Sequence, residues 1–429
     1  MPPAISKCYI LGDFPETYMA ELVLDPGLKT TSVQSETTRP LPPRNMAVDA
    51  YRGLVMLLMM AEVLRFPEIA LSFPRSLFWR ILSYNQSHVQ WTGMSLHDTI
   101  QPGFTFLVGV ALPYSLRSRR RKGQGFQHTL LHTIWRSLLL IALGIYLRSL
   151  HRTETYFTFE DTLTQIGLGY TFLYLTSFCK PKWQWTILGL TLFFYWLAWA
   201  LYPAPGPGFN YAAVGVPADW HQYLFTGFFA HWNKNSNLGQ AFDVWFLNLF
   251  PRSTPFLFNA GGYLTLSFIP TFGTMLLGLA AGRWFLASEP RIPLLRFFLA
   301  GVALMAAGLF FHFTGICPIV KRIWTPSWTL FSGGVCFLFL WAFSWIIDAR
   351  NHRRWAFPLI VVGMNSIAAY LIYYLFQWRI EQSFRIHLGN SVLNVFGTAI
   401  EPLFLGVLTL ITFWLILFWM YRRKLFLRI

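Results

Sequence analysis

Apolar residues along this chain gather into ten blocks, near 46–64, 99–116, 130–148, 162–179, 183–202, 263–285, 295–314, 327–347, 357–376 and 402–421. Each is roughly 20 residues long, the length a helix needs to cross the hydrocarbon core of a bilayer. The pattern predicts an all-α, polytopic integral membrane protein with about ten transmembrane helices. Between the blocks lie short polar stretches and one long one, about 203–262, rich in Pro, Gly, Trp and Asn. That long stretch is expected to lie over the helical bundle as a lid rather than to form a separate domain. No internal repeat, heptad array or low-complexity tract interrupts the scheme.

Composition sharpens this picture. The chain is 55% hydrophobic and only 12% charged, about half the charged share of an ordinary soluble domain. A net charge of +16 would suit nucleic acid, but the basic residues sit in loops between apolar blocks. Arg117, Arg119, Arg120, Arg121 and Lys122 form one cluster, Arg350, Arg353 and Arg354 another, and Arg422, Arg423 and Lys424 a third. Such clustering marks cytoplasmic loops and puts anionic lipid headgroups, rather than nucleic acid, against the charge. It sets both termini on the cytoplasmic side and the stretches 65–98, 149–161, 203–262, 315–326 and 377–401 on the other. Residues 1–44, with seven prolines and no apolar signal-peptide core, are expected to be a loosely ordered cytoplasmic tail. The cysteines, Cys8, Cys179, Cys317 and Cys336, are too dispersed for a disulfide framework or a zinc site.

Candidate chemistry concentrates where a polar segment, Ser87 to Gln101, runs into the second apolar block. Titratable groups at the mouth of a membrane helix cost free energy unless they are paired or functional. His88 can act there as a general base or as an acyl-accepting nucleophile, since neutral imidazole is abundant near pH 7; a plain interfacial histidine fits its position equally. His97 is of the same kind with a weaker claim. Asp98 can cap the second helix or orient an imidazole and favour its charged form. Gln101, one turn on, can bond substrate or a neighbouring helix. Asp49 and Arg52 open the first block at an (i, i+3) spacing suited to an ion pair, and an arginine there can also bind a donor's phosphate. Glu62, deep in the same block, must face the bundle interior or water. Gln165, Asn259, His312, Asn365 and Ser366 are further polar residues at membrane depth or at block ends. Lys321 to Ser327 adds fixed positive charge beside aromatics, which interfacial anchoring would also explain. A P-loop, GxGxxG, GxSxG and HExxH are all missing, which argues against ATP-driven transport, dinucleotide chemistry and the common serine and zinc hydrolases.

The order of these motifs resembles one family, the transmembrane acyltransferases typified by heparan-α-glucosaminide N-acetyltransferase, with their bacterial DUF5009-type relatives. The resemblance runs from about residue 44 to the C-terminus. Its D-x-x-R-G is here Asp49, Arg52 and Gly53; its H-x-x-W-x-G and D-x-x-x-P are His88, Trp91, Gly93, Asp98 and Pro102, continuing into Phe106-Leu107-Val108-Gly109-Val110. Trp135-Arg136-Ser137, Gln165, Gly278 to Gly282, Lys321 with Trp324-Thr325-Pro326-Ser327, and Gly363-Met364-Asn365-Ser366 follow in order.

The resemblance implies a transmembrane acyltransferase-like domain over 45–429. It would transfer an acetyl group from cytoplasmic acetyl-CoA, or another acyl-CoA, to a sugar or glycolipid acceptor on the far side, with no metal. His88 would be catalytic, as base or acyl carrier, with Asp98 and Glu62 as its polar partners. Asp49, Arg52, Trp91, Gln101, Gln165, Asn259, Lys321, Trp324, Ser327, Asn365 and Ser366 would bind donor or acceptor. A bacterial inner membrane and a homodimer are compatible with the same resemblance. The chain also departs from the pattern. The family's late first-span asparagine aligns with Val63, beside Glu62; its Asn after the Trp is Thr92, its Arg after the fourth-span Gln is Ile166, and its D-P-E-G reads Asn259-Ala260-Gly261-Gly262. A rival reading from another class is a transporter or flippase for a sugar- or lipid-linked substrate, which would show inverted repeats around a midplane site; a non-catalytic glycan or lipid binder is a third.

Overall fold

The structure, a computed structural model, describes residues 45–427; the expected tail over 1–44 lies outside the described residues. All ten apolar blocks are helical. Helix α1 spans Met46–Met60 and starts where the Asn45 side chain accepts a hydrogen bond from Val48 N at 3.0 Å. It tightens into a 3₁₀ turn, Ala61–Leu64, and stops at Arg65, whose φ of 52° is left-handed. Two short helices follow, α2 (Phe66–Ser72) and α3 (Leu77–Gln86). After a non-helical strap come a 3₁₀ turn, His97–Thr99, and then α4 (Ile100–Arg121), α5 (Phe126–Ser149) and α6 (Thr162–Thr176). The chain continues through α7 (Pro181–Leu201), α8 (Leu238–Leu247), α9 (Phe268–Ser288), α10 (Leu294–Phe313) and α11 (Pro326–Phe343). It closes with α12 (Phe357–Met364), α13 (Ser366–Leu393) and α14 (Glu401–Arg422). Among the described residues there is no β-strand, only an isolated antiparallel bridge between Thr92 and Val320.

Six helices, α5, α7, α9, α10, α11 and α14, are long and apolar enough to cross a bilayer alone, and the pair α12–α13, bent by 70° at Asn365, makes a seventh if it counts as one span. The remaining three blocks fall short for visible reasons. Helices α1 and α6 have 15 residues each, about 22 Å of rise; α4 carries Gln101, two prolines and a basic last turn. The expected count of ten is thus reached for helices but not for full crossings. Two further differences lie in stretches expected to be loops: 65–98 holds α2 and α3, and α13 runs on, with no proline or glycine to stop it, to a kink at Gly389 (φ 67°) before its last residues to Leu393.

The surface is inverted relative to a soluble protein. Leu295, Phe313, Trp378 and Leu131 are 68%, 80%, 67% and 67% exposed, while Asp98, Thr105, Gln165, Thr271 and Thr274 are wholly buried. Only a lipid solvent makes that distribution favourable, so the molecule is an integral membrane protein. In lipid the apolar effect does not draw helices together, and close backbone packing does. Helices α4 and α9 meet this way: a Cβ on Gly109 would strike the Met275 carbonyl, and one on Gly278 the Phe106 carbonyl. Helices α1 and α12 do the same through Gly53 and Gly363. The stretch 203–262 packs its Val216, Trp220 and Trp232 against Trp91, Tyr195, Trp199, Val320 and Ile323 at one end of the bundle.

Candidate active site

At that end the strap between α3 and α4 is wound around one carboxylate. Asp98 Oδ2 accepts from Val89 N (3.2 Å), Ser95 N (3.0 Å) and Ser95 Oγ (3.0 Å), and Ser95 Oγ also reaches Ser87 O at 2.6 Å. Gly93, at φ 106°, makes the reversal that brings Ser95 back under the strap. The other oxygen, Oδ1, faces His88, whose Nδ1 lies 2.8 Å away. Lys321 completes the group from a loop more than two hundred residues on. Its Nζ is 3.4 Å from Asp98 Oδ1, 3.0 Å from His88 Nδ1 and 3.5 Å from Nε2. That loop is fixed by the Thr92–Val320 bridge and by Thr325 Oγ1, which accepts from Val320 N at 3.1 Å.

These contacts settle the charges. Burial works to raise the Asp98 carboxyl, but the hydrogen bond from His88, the Lys321 ammonium and the Ser95 N–H outweigh it and hold the group well below the usual carboxylate range. Burial lowers His88; the Asp98 hydrogen bond opposes this and the Lys321 charge reinforces it, so the net shift is downward. The imidazole is therefore neutral near pH 7. An ionised Asp98 can accept a hydrogen bond from Nδ1–H, the tautomer that leaves the lone pair on Nε2, 3.5 Å from Lys321 Nζ, in a side chain that is 36% exposed. Lys321 and Asp98 themselves are 4% and 0% exposed.

A second carboxylate–imidazole pair adjoins the first. His97 Nε2 is 2.7 Å from Glu62 Oε1, and the Tyr373 hydroxyl donates to Glu62 Oε2. The His88 and His97 rings are 4.6 Å apart, centre to centre. Glu62 sits on the 3₁₀ turn that ends α1, and Gln86 locks that turn to α3 by donating to Ala61 O (2.5 Å) and accepting from Phe66 N (2.7 Å). Beside His88 lies Tyr263, edge-on at 6.4 Å, with the Arg322 guanidinium over its ring at 5.3 Å. Arg322 also donates to Gly261 O (2.6 Å) and Val89 O (3.3 Å).

The other residues singled out in the sequence are placed as follows. Trp91 is buried and donates to Trp232 O at 3.2 Å. Gln101 is half-buried in the first turn of α4. Gln165 Nε2 binds Phe159 O (2.6 Å) and Thr265 O (3.2 Å), joining the α6 and α9 starts. Asn259 caps its own turn, accepting from Gly261 N (2.8 Å) and Tyr263 N (3.3 Å), and so sets Tyr263 beside His88. Trp324 (φ 49°) is buried and donates to Thr274 Oγ1 at 3.3 Å; Ser327 Oγ donates to Pro318 O at 2.5 Å. Asp49 and Arg52 pair at 3.4 Å in the first turn of α1, about 20 Å of helix from Glu62. Asn365 is at that same far end, where Gly363 abuts the Asp49 backbone, and its side chain holds Leu425 O (2.9 Å) and Leu427 N (3.2 Å). Ser366 is the first residue of α13. His88, Asp98, Glu62 and Lys321 thus come together, while Asp49, Arg52, Asn365 and Ser366 gather at the opposite end. Tyr373, Tyr263 and Ser95 complete the site without any local motif to announce them. Among the described residues no group of three His, Cys, Asp or Glu side chains is arranged to hold a metal ion.

No family model matches the chain. It is similar to heparan-alpha-glucosaminide N-acetyltransferase of Homo sapiens, at 25% identity over 445 residues, and to the protein of the same name from Mus musculus, at 25% over 443. Each alignment covers 92% of this chain, which spans 62% of the length of these relatives. Similarity of that extent supports the family that the ordered motifs resemble, and it makes the chain a distant homologue of heparan-alpha-glucosaminide N-acetyltransferase.

Proposed function

We propose that this protein is a membrane-embedded acetyltransferase that takes an acetyl group from acyl-CoA on the cytoplasmic side and passes it to a sugar or glycolipid on the other. His88 is the base that deprotonates the acceptor, or the nucleophile that carries the acetyl group. The observation that carries the reading is the placement of His88: its Nδ1 lies 2.8 Å from the buried Asp98 carboxylate, on a side chain that is 36% exposed, and burial and Lys321 shift the ring toward its neutral form. A base must be neutral to accept a proton, and a fixed tautomer puts the lone pair on one known nitrogen. Asp98 orients the ring and Lys321 keeps it neutral between turnovers. The Asp49–Arg52 end, with the basic loops, receives the nucleotide part of the donor, and the thioester reaches toward His88 through the bundle. The thioester supplies the driving energy. The relatives' name specifies an α-glucosaminide, so an alkyl α-glucosaminide is the probe acceptor.

The test is acetyl transfer from acetyl-CoA to that probe by the detergent-solubilised protein, with mass spectrometry of the protein for acetyl on His88. Positioned acid–base catalysis contributes about 10²- to 10⁴-fold, so His88→Ala should lose turnover by at least that factor while remaining folded. Wild-type turnover in this variant would refute the role of His88. Failure of folded protein to bind any acyl-CoA would refute the acyltransferase reading in favour of a transporter or binding protein.

A further inference from the structure

The site holds two imidazoles where a single base needs one, and their surroundings differ in charge. The carboxylate behind His88 is shared with an ammonium, Lys321 Nζ at 3.4 Å, which disfavours an imidazolium there. Among the described residues, the carboxylate behind His97 meets a neutral donor besides that ring: Glu62 Oε1 is 2.7 Å from His97 Nε2, and Oε2 accepts from the Tyr373 hydroxyl. Glu62, 40% exposed, thus presents its carboxylate to a His97 side chain that is only 6% exposed. With Nε2 turned to Glu62, Nδ1 is the nitrogen left for the substrate.

We propose that His97, oriented by Glu62, is the general acid that protonates the departing thiolate of the donor. The inference rests on the acyltransferase reading above and adds a second catalytic residue to it. In the ternary complex the acceptor's nitrogen or oxygen bonds to the acetyl carbon and gives its proton to His88 Nε2. The C–S bond breaks, its electron pair goes to sulfur, and sulfur takes the Nδ1 proton of His97. One ring ends a proton richer and the other a proton poorer. With the rings 4.6 Å apart, transfer of one proton between them, directly or through one water, restores both. The acceptor's proton ends on the thiol, and no other reactant is consumed.

A role as acid makes a prediction that a merely structural histidine does not. A weaker base leaves without needing a proton, so the defect of an acid variant should vanish with a better leaving group. The donors to compare are acetyl-CoA and its selenoester analogue, with the alkyl α-glucosaminide as acceptor. His97→Gln should slow the thioester reaction by about 10²-fold and the selenoester reaction by less than about 5-fold. Glu62→Gln, which removes the charge and turns one of the two accepting oxygens into a donor, should show the same selectivity to a smaller degree. It also serves if His97→Gln does not fold. His88→Gln should lose both reactions alike. Equal losses with both donors in folded His97→Gln and Glu62→Gln, or no loss with either, would overturn the proposal. Absence of transfer by the wild-type protein from either donor would instead overturn the underlying reading.

Discussion

Asp98→Asn removes one negative charge from a cluster in which His88 and Lys321 both depend on it. Two losses follow, and they can be separated. The first is catalytic. The carboxylate accepts the Nδ1 proton of His88 at 2.8 Å; an amide can turn its NH₂ toward the ring and stabilise the tautomer whose Nε2 carries the proton and cannot act as base. In a serine-protease triad the same change, with geometry intact, costs about 10⁴ in kcat, which is about 5 kcal/mol of barrier. Here Lys321 also loses the counter-charge beside it, so a fall of about 10³ to 10⁴ is expected. The second loss is thermodynamic. Lys321 is 4% exposed with Asp98 at 3.4 Å, and stripping one partner from a buried pair costs about 3–5 kcal/mol. Replacing both partners can be close to neutral, since no uncompensated charge is left. The double variant Asp98→Asn/Lys321→Met should therefore regain most of the thermal stability lost in the single variant and none of the turnover. The assays are thermal unfolding in detergent and acetyl transfer to the alkyl α-glucosaminide. Turnover in Asp98→Asn within about 10-fold of wild type, or its recovery in the double variant, would refute the assignment of Asp98 as the residue that fixes the His88 tautomer.

Other expectations follow from the same geometry. His88 titrates below its ordinary value near 6.5, so kcat/KM should hold as pH falls to that value and decline only below it. Lys321→Met removes a positive charge from the ring, favours the imidazolium, and should move this acid limb to higher pH; an unmoved or lowered limb would contradict the proposed effect of the ammonium. Gly278→Leu would drive a side chain into the Phe106 carbonyl and Gly109. Overpacking against backbone exceeds the usual 1–3 kcal/mol, roughly, of a crowded core, so this variant should fail to yield monodisperse protein, as size-exclusion chromatography would report.

Local patterning carried most of the helices and little of the site's wiring. Apolar runs longer than a bilayer's half-thickness leave a helix as the only structure that satisfies its own backbone, and each of the ten blocks is indeed helical. In 65–98 the apolar runs are short and broken by polar residues and prolines, and no position on α3 is buried, so no long run marked it. The contacts that join the site's residues escaped for a different reason. Lys321 meets Asp98, Tyr373 meets Glu62 and Tyr263 meets His88 across 170 residues or more of chain, and no spacing encodes such a meeting. The polar residues that a sequence can single out, such as Gln165, Ser327 and Asn365, are spent on backbone groups in the structure. A buried amide or hydroxyl must find a partner whether or not it has a further task.

The end of α1 shows how one departure from the family pattern can be absorbed. The position that the resemblance matches to the family's asparagine is Val63, wholly buried, its backbone carbonyl pressed against Gly406 of α14. A polar side chain there would face the helix interface, where valine costs nothing in desolvation. The preceding residue, Glu62, is turned by the tighter 3₁₀ geometry toward His97 and Tyr373. Moving the polar group back by one residue exchanges a neutral amide for a carboxylate. An amide can only donate to or accept from an imidazole, whereas a carboxylate can also stabilise its protonated form. The substitution therefore keeps a hydrogen-bonding group at the site and changes its charge, which is why a restored asparagine, Val63→Asn with Glu62→Gln, should not reproduce the native rate if His97 acts as an acid. Native turnover from acetyl-CoA in that double variant would show that the carboxylate is dispensable and that hydrogen bonding alone suffices.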